Sequence, residues 1–140
     1  MSTEQNKQVV RQFHVFYNQG NLERAKELLA PNFVAYVVGA PAPLSRDEFK
    51  YAGEAYLSAF PGSQSETLAV IAEGDSVAAH GSFRGTHKND FMGIPATGKS
   101  FTINWMHFFR LSEGKITEIR VEQDMLGMLQ QLGVIPMPQG

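Results

Sequence analysis

The 140 residues carry a formal net charge of -2, twelve Lys and Arg against fourteen Asp and Glu, and no cysteine. A chain of this length has room for one buried core and is expected to form one domain over residues 1–140. The lack of thiols excludes disulfides, thiolate catalysis and cysteine-ligated zinc. Scattered basic residues leave no electrostatic footprint for nucleic acid. No window approaches the ~18 unbroken apolar residues of a membrane span, and the polar start Ser2-Thr3-Glu4-Gln5-Asn6-Lys7 lacks the apolar run of a secretory signal, so the expected place is the cytoplasm.

Ser2 with Gln5 reads as a capping box, and Val9, Val10, Phe13, Phe16 and Tyr17 follow at three- and four-residue spacing. This pattern predicts an amphipathic helix that Gly20 ends. Asn21 caps a short second helix with Leu22, Ala25, Leu28 and Leu29 inward, stopped by Pro31 before a strand from Phe33 to Val38. After a Pro-rich loop, Ser45 and Glu48 form a second capping box, opening a helix with Phe49, Tyr56 and Phe60 on one side as far as Pro61-Gly62. The period then changes to two. Strands are predicted over 67–72, 77–85, 101–111 and 116–122, with a long loop from Thr86 to Gly98. Asp124 caps a last short helix from Met125 to Leu132, closed by Gly133. Helices first and strands later give an α+β class with a mainly antiparallel sheet.

The last hairpin sets a register. Reading Ser112-Glu113-Gly114 as a three-residue loop pairs Lys115 with Leu111, Ile119 with His107 and Val121 with Trp105. Odd-numbered residues then share one face, Ile103, Trp105, His107, Phe109, Ile119, Val121 and Gln123, which should meet the first and third helices. The other face carries Asn104, Met106, Phe108, Arg110, Glu118, Arg120 and Glu122. Its apolar centre within a charged rim predicts a homodimer through the outer sheet face.

Three segments carry a family resemblance: 16–22 (FYNQGNL), the loop 85–99 (GTHKNDFMGIPATGK), and 113–118 (EGKITE) through the closing QQLG of 130–133. In them the chain resembles the SnoaL-like polyketide cyclases of the nuclear transport factor 2-like superfamily. The resemblance covers nearly the whole chain in order. It implies a cone of helices closed on a curved sheet around a small-molecule pocket. Characterised members close a ring by intramolecular aldol condensation without a cofactor, using an aspartate as acid/base inside the cone. Aligned through the closing helix, that position is Val121, which cannot move a proton. The family's pocket histidine matches His107, and an aromatic pocket residue at the end of the first helix matches Tyr17.

His107 lies in an apolar stripe and is either a pocket group or a core histidine satisfied by backbone. Asp124 is the carboxylate nearest the vacated position and also the expected N-cap of the last helix. A carboxylate has two oxygens, so both roles could coexist, and the helix N-terminus favours its charged form. Tyr17, Tyr36, Trp105 and Phe109, with Ile119 and Val121, are expected to wall an apolar pocket, the usual make-up of a small-molecule site. His87 in the long loop is either a ligand contact or a loop organiser. His14 and His80 fall in no pattern, and no histidine pair has the i, i+4 spacing of a helical zinc site, so no metal and no cofactor are expected.

Residues 93–100 (GIPATGKS) satisfy the letters of the nucleotide-binding loop G-x-x-x-x-G-K-[ST]. That loop works by aiming the backbone N–H groups of a following helix at phosphates, whereas Phe101 onward alternates as a strand and Pro95 removes a donor. The expected function is binding of a small apolar or polycyclic molecule, with cofactor-free cyclisation or isomerisation by proton transfer. The alternative is a carrier or sensor without turnover, in keeping with Val121.

Overall fold

The computed structural model describes residues 2–136. Both capping boxes form: Ser2 and Ser45 each accept a backbone N–H three residues on, and Gln5 and Glu48 reach back to the cap N–H. These bonds satisfy donors that the first helical turn leaves free. They start α1 (Thr3–Asn18) and α3 (Arg46–Ala59), and α2 (Leu22–Glu27), capped by Asn21, lies between. The strands are β1 (Leu29–Val37), β2 (Leu44–Ser45), β3 (Gln64–Glu73), β4 (Ser76–Thr86), β5 (Ser100–Ser112) and β6 (Lys115–Gln123), followed by α4 (Met125–Gln131).

The six strands form one sheet in the order β2-β1-β6-β5-β4-β3. Four neighbouring pairs are antiparallel and β1 with β6 is parallel, which makes the sheet mixed. A parallel pair needs a long crossover, here supplied by α3 and the β3–β5 meander. Strand β2 is a two-residue edge inside the segment that the sequence reads as a Pro-rich loop.

The β5–β6 turn differs from expectation. Ser112 pairs with Lys115 across a two-residue turn in which Glu113 (φ 50) and Gly114 (φ 79) both take positive φ. A bulge between Arg110 and Leu111 then shifts the ladder, so His107 pairs with Val121, Phe109 with Ile119 and Trp105 with Gln123. Turn and bulge together move the register by two residues, an even number, and the side-chain period in a strand is two. The faces therefore stay as read while every partner changes. Ile103, Trp105, Phe109, Ile119 and Val121 are buried under the helices, whereas Met106 on the outer face is 66% exposed.

Two apolar clusters build the core. One joins Val10, Phe13, Phe33 and Phe49 to Phe109, Ile116 and Ile119; the other joins Phe60, Phe91, Phe101, Met128 and Leu132 under the β4–β5 loop and α4. Phe83 packs against both. The segment with nucleotide-loop letters runs without a helix into β5, and the Lys99 ammonium packs against Gly133 at the end of α4. Among the described residues no helix is long and apolar enough to cross a membrane.

Candidate functional site

Between the two clusters lies a cavity of about 160 Å³, walled by α1 and α3 on one side and by β1, β3, β4, β5 and β6 on the other. Its walls are mainly aromatic and aliphatic, Phe13, Tyr17, Phe49, Tyr56, Phe83 and Trp105 with Val37 and Val121, and Asn18, Ser63, Ser65 and Gln123 add polar groups. No Asp, Glu, Lys or Arg lines it among the described residues.

Local backbone features position these side chains. Trp105 lies over β4 because Gly81 is its cross-strand partner. A Cβ there would come within 2.4 Å of the indole and 2.0 Å of the Glu66 carbonyl oxygen, so only glycine fits. The indole Nε1–H donates to Ser65 Oγ (3.1 Å) and to the Ser82 carbonyl (3.2 Å). Tyr17 is held against the Gly53 backbone, where an added Cβ would stand 3.0 Å from its ring. Burial, with Glu54 as a smaller cause, pushes the Tyr17 hydroxyl well above its ordinary value, so it stays a neutral phenol. At another wall Gln123 Nε2 donates to the Tyr56 hydroxyl (2.6 Å), which in turn faces Met125 Sδ (3.7 Å).

A histidine pair forms part of the cavity wall. His107 of β5 stacks on Trp105, with ring centroids 4.2 Å apart and planes inclined by 22°. Its Nδ1 lies 3.0 Å from Nε2 of His14, which α1 brings in from 93 residues away in the sequence. His14 also packs on Trp105 and Phe109. Burial, with the Arg11 charge adding to it, lowers the His14 pKa to about 4. Burial and the neighbouring His14 hold His107 well below its ordinary value. Both rings are therefore neutral near pH 7 and share one hydrogen bond. Nε2 of His107 bonds to no described residue.

The structure brings together Tyr17, Trp105, His107 and Val121 and leaves other expected site residues elsewhere. Tyr36 does not wall the cavity. It stands on the outer sheet face opposite Arg120, whose guanidinium lies 4.2 Å from the ring centroid, and it is 37% exposed. Every residue of the run 33–38 is apolar or aromatic, so alternation alone could not decide its face. Phe109 and Ile119 point inward but are wholly buried in the first cluster, behind the cavity lining. Asp124 is exposed and caps α4 by accepting from the Gly127 N–H (2.9 Å), and the cavity lining does not include it. His87 is wholly buried in the β4–β5 loop, bonded to Thr97. Sequence reasoning missed His14, Tyr56, Gln123 and Val37 as lining residues. His14 follows Val10 by four residues and precedes Tyr17 by three, a helical-face signal that was readable. Among the described residues no three His, Asp or Glu side chains are placed to hold a metal ion.

Residues 7–132 match the family model of the SnoaL-like polyketide cyclases. The chain is 31% identical over 128 residues to the aklanonic acid methyl ester cyclase DauD of Streptomyces sp. (strain C5), covering 91% of this chain and 71% of that one. It is also 31% identical over 126 residues to the cyclase DnrD of Streptomyces peucetius, over 89% and 77% of the two chains. Among solved structures, IdmH of Streptomyces antibioticus, provisionally a polyketide cyclase, superposes with a TM-score of 0.82 at 30% identity, over 92% of this chain and 99% of that one. AclR of Streptomyces galilaeus, provisionally a hydroxylase, gives 0.89 at 26% identity over 99% and 91%. On the family match and the relatives' identity and coverage, the chain belongs to the SnoaL-like polyketide cyclase family.

Proposed function

We propose that the cavity binds a small, uncharged, carbonyl-bearing molecule and that the chain closes a ring in it, or isomerises it, by cofactor-free proton transfer through His107. The observation that carries this reading is the free Nε2 of His107 on a largely apolar wall without charged side chains. The cyclase relatives add support. Ring closure of the aldol type breaks one C–H bond beside a carbonyl, forms one C–C bond to a second carbonyl carbon, and leaves that carbonyl's oxygen protonated. Atoms balance without a redox partner, so a group that exchanges protons, with water carrying them between the two positions, suffices. His107 is the ionisable group we assign to that exchange, and the aromatic walls orient the ligand.

The wall carries no charge, so a carboxylate would enter without a partner; an ester, ketone or amide would not bring that cost. At about 160 Å³ the cavity is smaller than the ~300–1,000 Å³ of drug-sized sites.

A second reading, a carrier without turnover, is favoured by Val121, which pairs with His107 across the ladder and which the resemblance aligns with the family's aspartate. Native mass spectrometry of protein from its own host, followed by chemical analysis of what co-purifies, separates the two. Replacing His107 by Gln should lower turnover ~100- to 10,000-fold for an enzyme. Undiminished turnover would end the assignment of His107. In a carrier the same change alters affinity and leaves no reaction to lose. Val121→Asp sets a carboxylate about 5 Å from the His107 position between Cβ atoms, and gain of cyclase activity on a polyketide would mark an inactivated ancestral site. We also propose a homodimer through the outer face around Met106 and Phe108. A monomer by light scattering at micromolar concentration, or a Phe108→Glu variant that stays dimeric, would refute it.

A further inference from the structure

The His14–His107 contact has one proton to share and two ways to share it. In one, His14 carries its proton on Nε2 and donates to a bare Nδ1 of His107, which leaves His107 with its proton on Nε2, toward the ligand. In the other, His107 donates from Nδ1 and presents a bare Nε2. These alternatives differ at the far end of the pair. Nδ1 of His14 is buried and has no hydrogen-bond partner among the described residues. The first arrangement leaves there an unshared lone pair, and the second leaves an unpartnered N–H. Across folded proteins a buried orphan N–H is the rarer defect than an acceptor with weak company, although His87 in the β4–β5 loop carries one on Nε2.

We infer that His14 is a positioning residue that holds His107 as the Nε2–H tautomer, so that the cavity presents a neutral hydrogen-bond donor and selects ligands bearing a carbonyl oxygen. The inference rests on the cavity being a ligand site, but it holds for a carrier as well as for an enzyme. It also gives an enzyme a defined first contact: Nε2–H meets the acceptor carbonyl oxygen and passes its proton to the alkoxide as the C–C bond forms, while water takes the proton from the carbon beside the other carbonyl and returns it to the bare Nε2. Stacking on Trp105 fixes the ring plane. The Arg11 charge opposes protonation of His14 and helps keep the pair neutral.

The decisive measurement uses the unaltered protein. Long-range proton–nitrogen NMR of the ¹⁵N-labelled chain at neutral pH should show both histidines protonated on Nε2, with bare Nδ1 nitrogens. A proton on Nδ1 of His107, or an even mixture, would overturn the inference. In His14→Phe the His107 signals should move toward a mixture of tautomers, and an unchanged spectrum would show that His14 does not position it. Should that variant fail to fold, the wild-type spectrum still decides.

For recognition, acetophenone and ethylbenzene differ by the carbonyl and can be titrated by calorimetry. Replacing His107 by Leu should reduce the preference for the ketone about 3- to 10-fold relative to wild type, whereas His107→Gln, whose amide keeps a donor, should retain it. An equal preference in the Leu variant sinks the selection of carbonyl oxygen, and failure of both probes to bind sinks the ligand-site reading beneath it. Turnover enters none of these readouts, so loss of the catalytic reading would leave them standing.

Discussion

The cavity and the β4–β5 loop each bury a histidine, and they hold it by different means. His87, at 0% exposure, is tied within its own loop. The Thr97 N–H donates to its Nδ1 (3.3 Å), its backbone N–H donates to the Lys99 carbonyl (2.9 Å), and the Gly98 N–H donates to its carbonyl (2.9 Å). A backbone amide can only donate, so that ring has one permitted tautomer. His107 is instead held by a second imidazole, which can give or take the proton, and by a stacked indole. A histidine anchored by amides organises a loop. The far nitrogen of His87 is buried and unpartnered, whereas His107, anchored by another titratable ring, lies in the cavity wall and keeps the capacity to exchange a proton.

The largest expected effect separates the two in one assay. His107→Gln should lower turnover ~100- to 10,000-fold with little change in melting temperature. His87→Leu strands the Thr97 N–H and should lower stability by about 1–3 kcal/mol, while turnover and acetophenone affinity stay at the wild-type level. Equal effects of the two variants on turnover would erase the distinction.

Acid provides a second contrast. The folded His14 pKa of about 4 lies below its unfolded value near 6.5. Between those values the unfolded chain binds the extra proton, so the contribution is intact above pH 6.5 and is lost as pH falls toward 4, with a slope of up to ~1.4 kcal/mol per pH unit. His107, shifted in the same direction, adds to the slope. Denaturant melts of wild type and of a His14→Phe, His107→Leu double variant should diverge over that range. Parallel curves would show that the pair is not neutral in the fold.

The smallest effect concerns the wall. Gly53→Ala puts a methyl against the Tyr17 ring, where the added Cβ stands 3.0 Å away, and should cost about 1 kcal/mol in stability while weakening acetophenone binding by less than His107→Leu does.

What could be read from sequence follows the same division between local and distant anchoring. The capping boxes at Ser2 and Ser45 and the Asn21 and Asp124 caps are decided within three residues, and all of them form. The inward face of β5 and β6 was legible because the polar and apolar sides alternate. The partners across that hairpin were not, because a two-residue turn with Glu113 at positive φ and a bulge that leaves Thr117 unpaired both departed from the simplest loop. Tyr36 could not be placed from a run without alternation. The contact between His14 and His107 depends on how α1 crosses the sheet, which no local pattern encodes.

The chain has a single tryptophan, and it lies against His107. All indole fluorescence of the molecule therefore originates at one wall of the cavity, at a ring that touches both imidazoles. A ligand that seats there, or a proton that arrives on the pair, changes the surroundings of the one indole directly. Each preparation thus carries a built-in optical gauge of occupancy, readable without a label and without a known substrate, and suited to screening carbonyl compounds against the native chain.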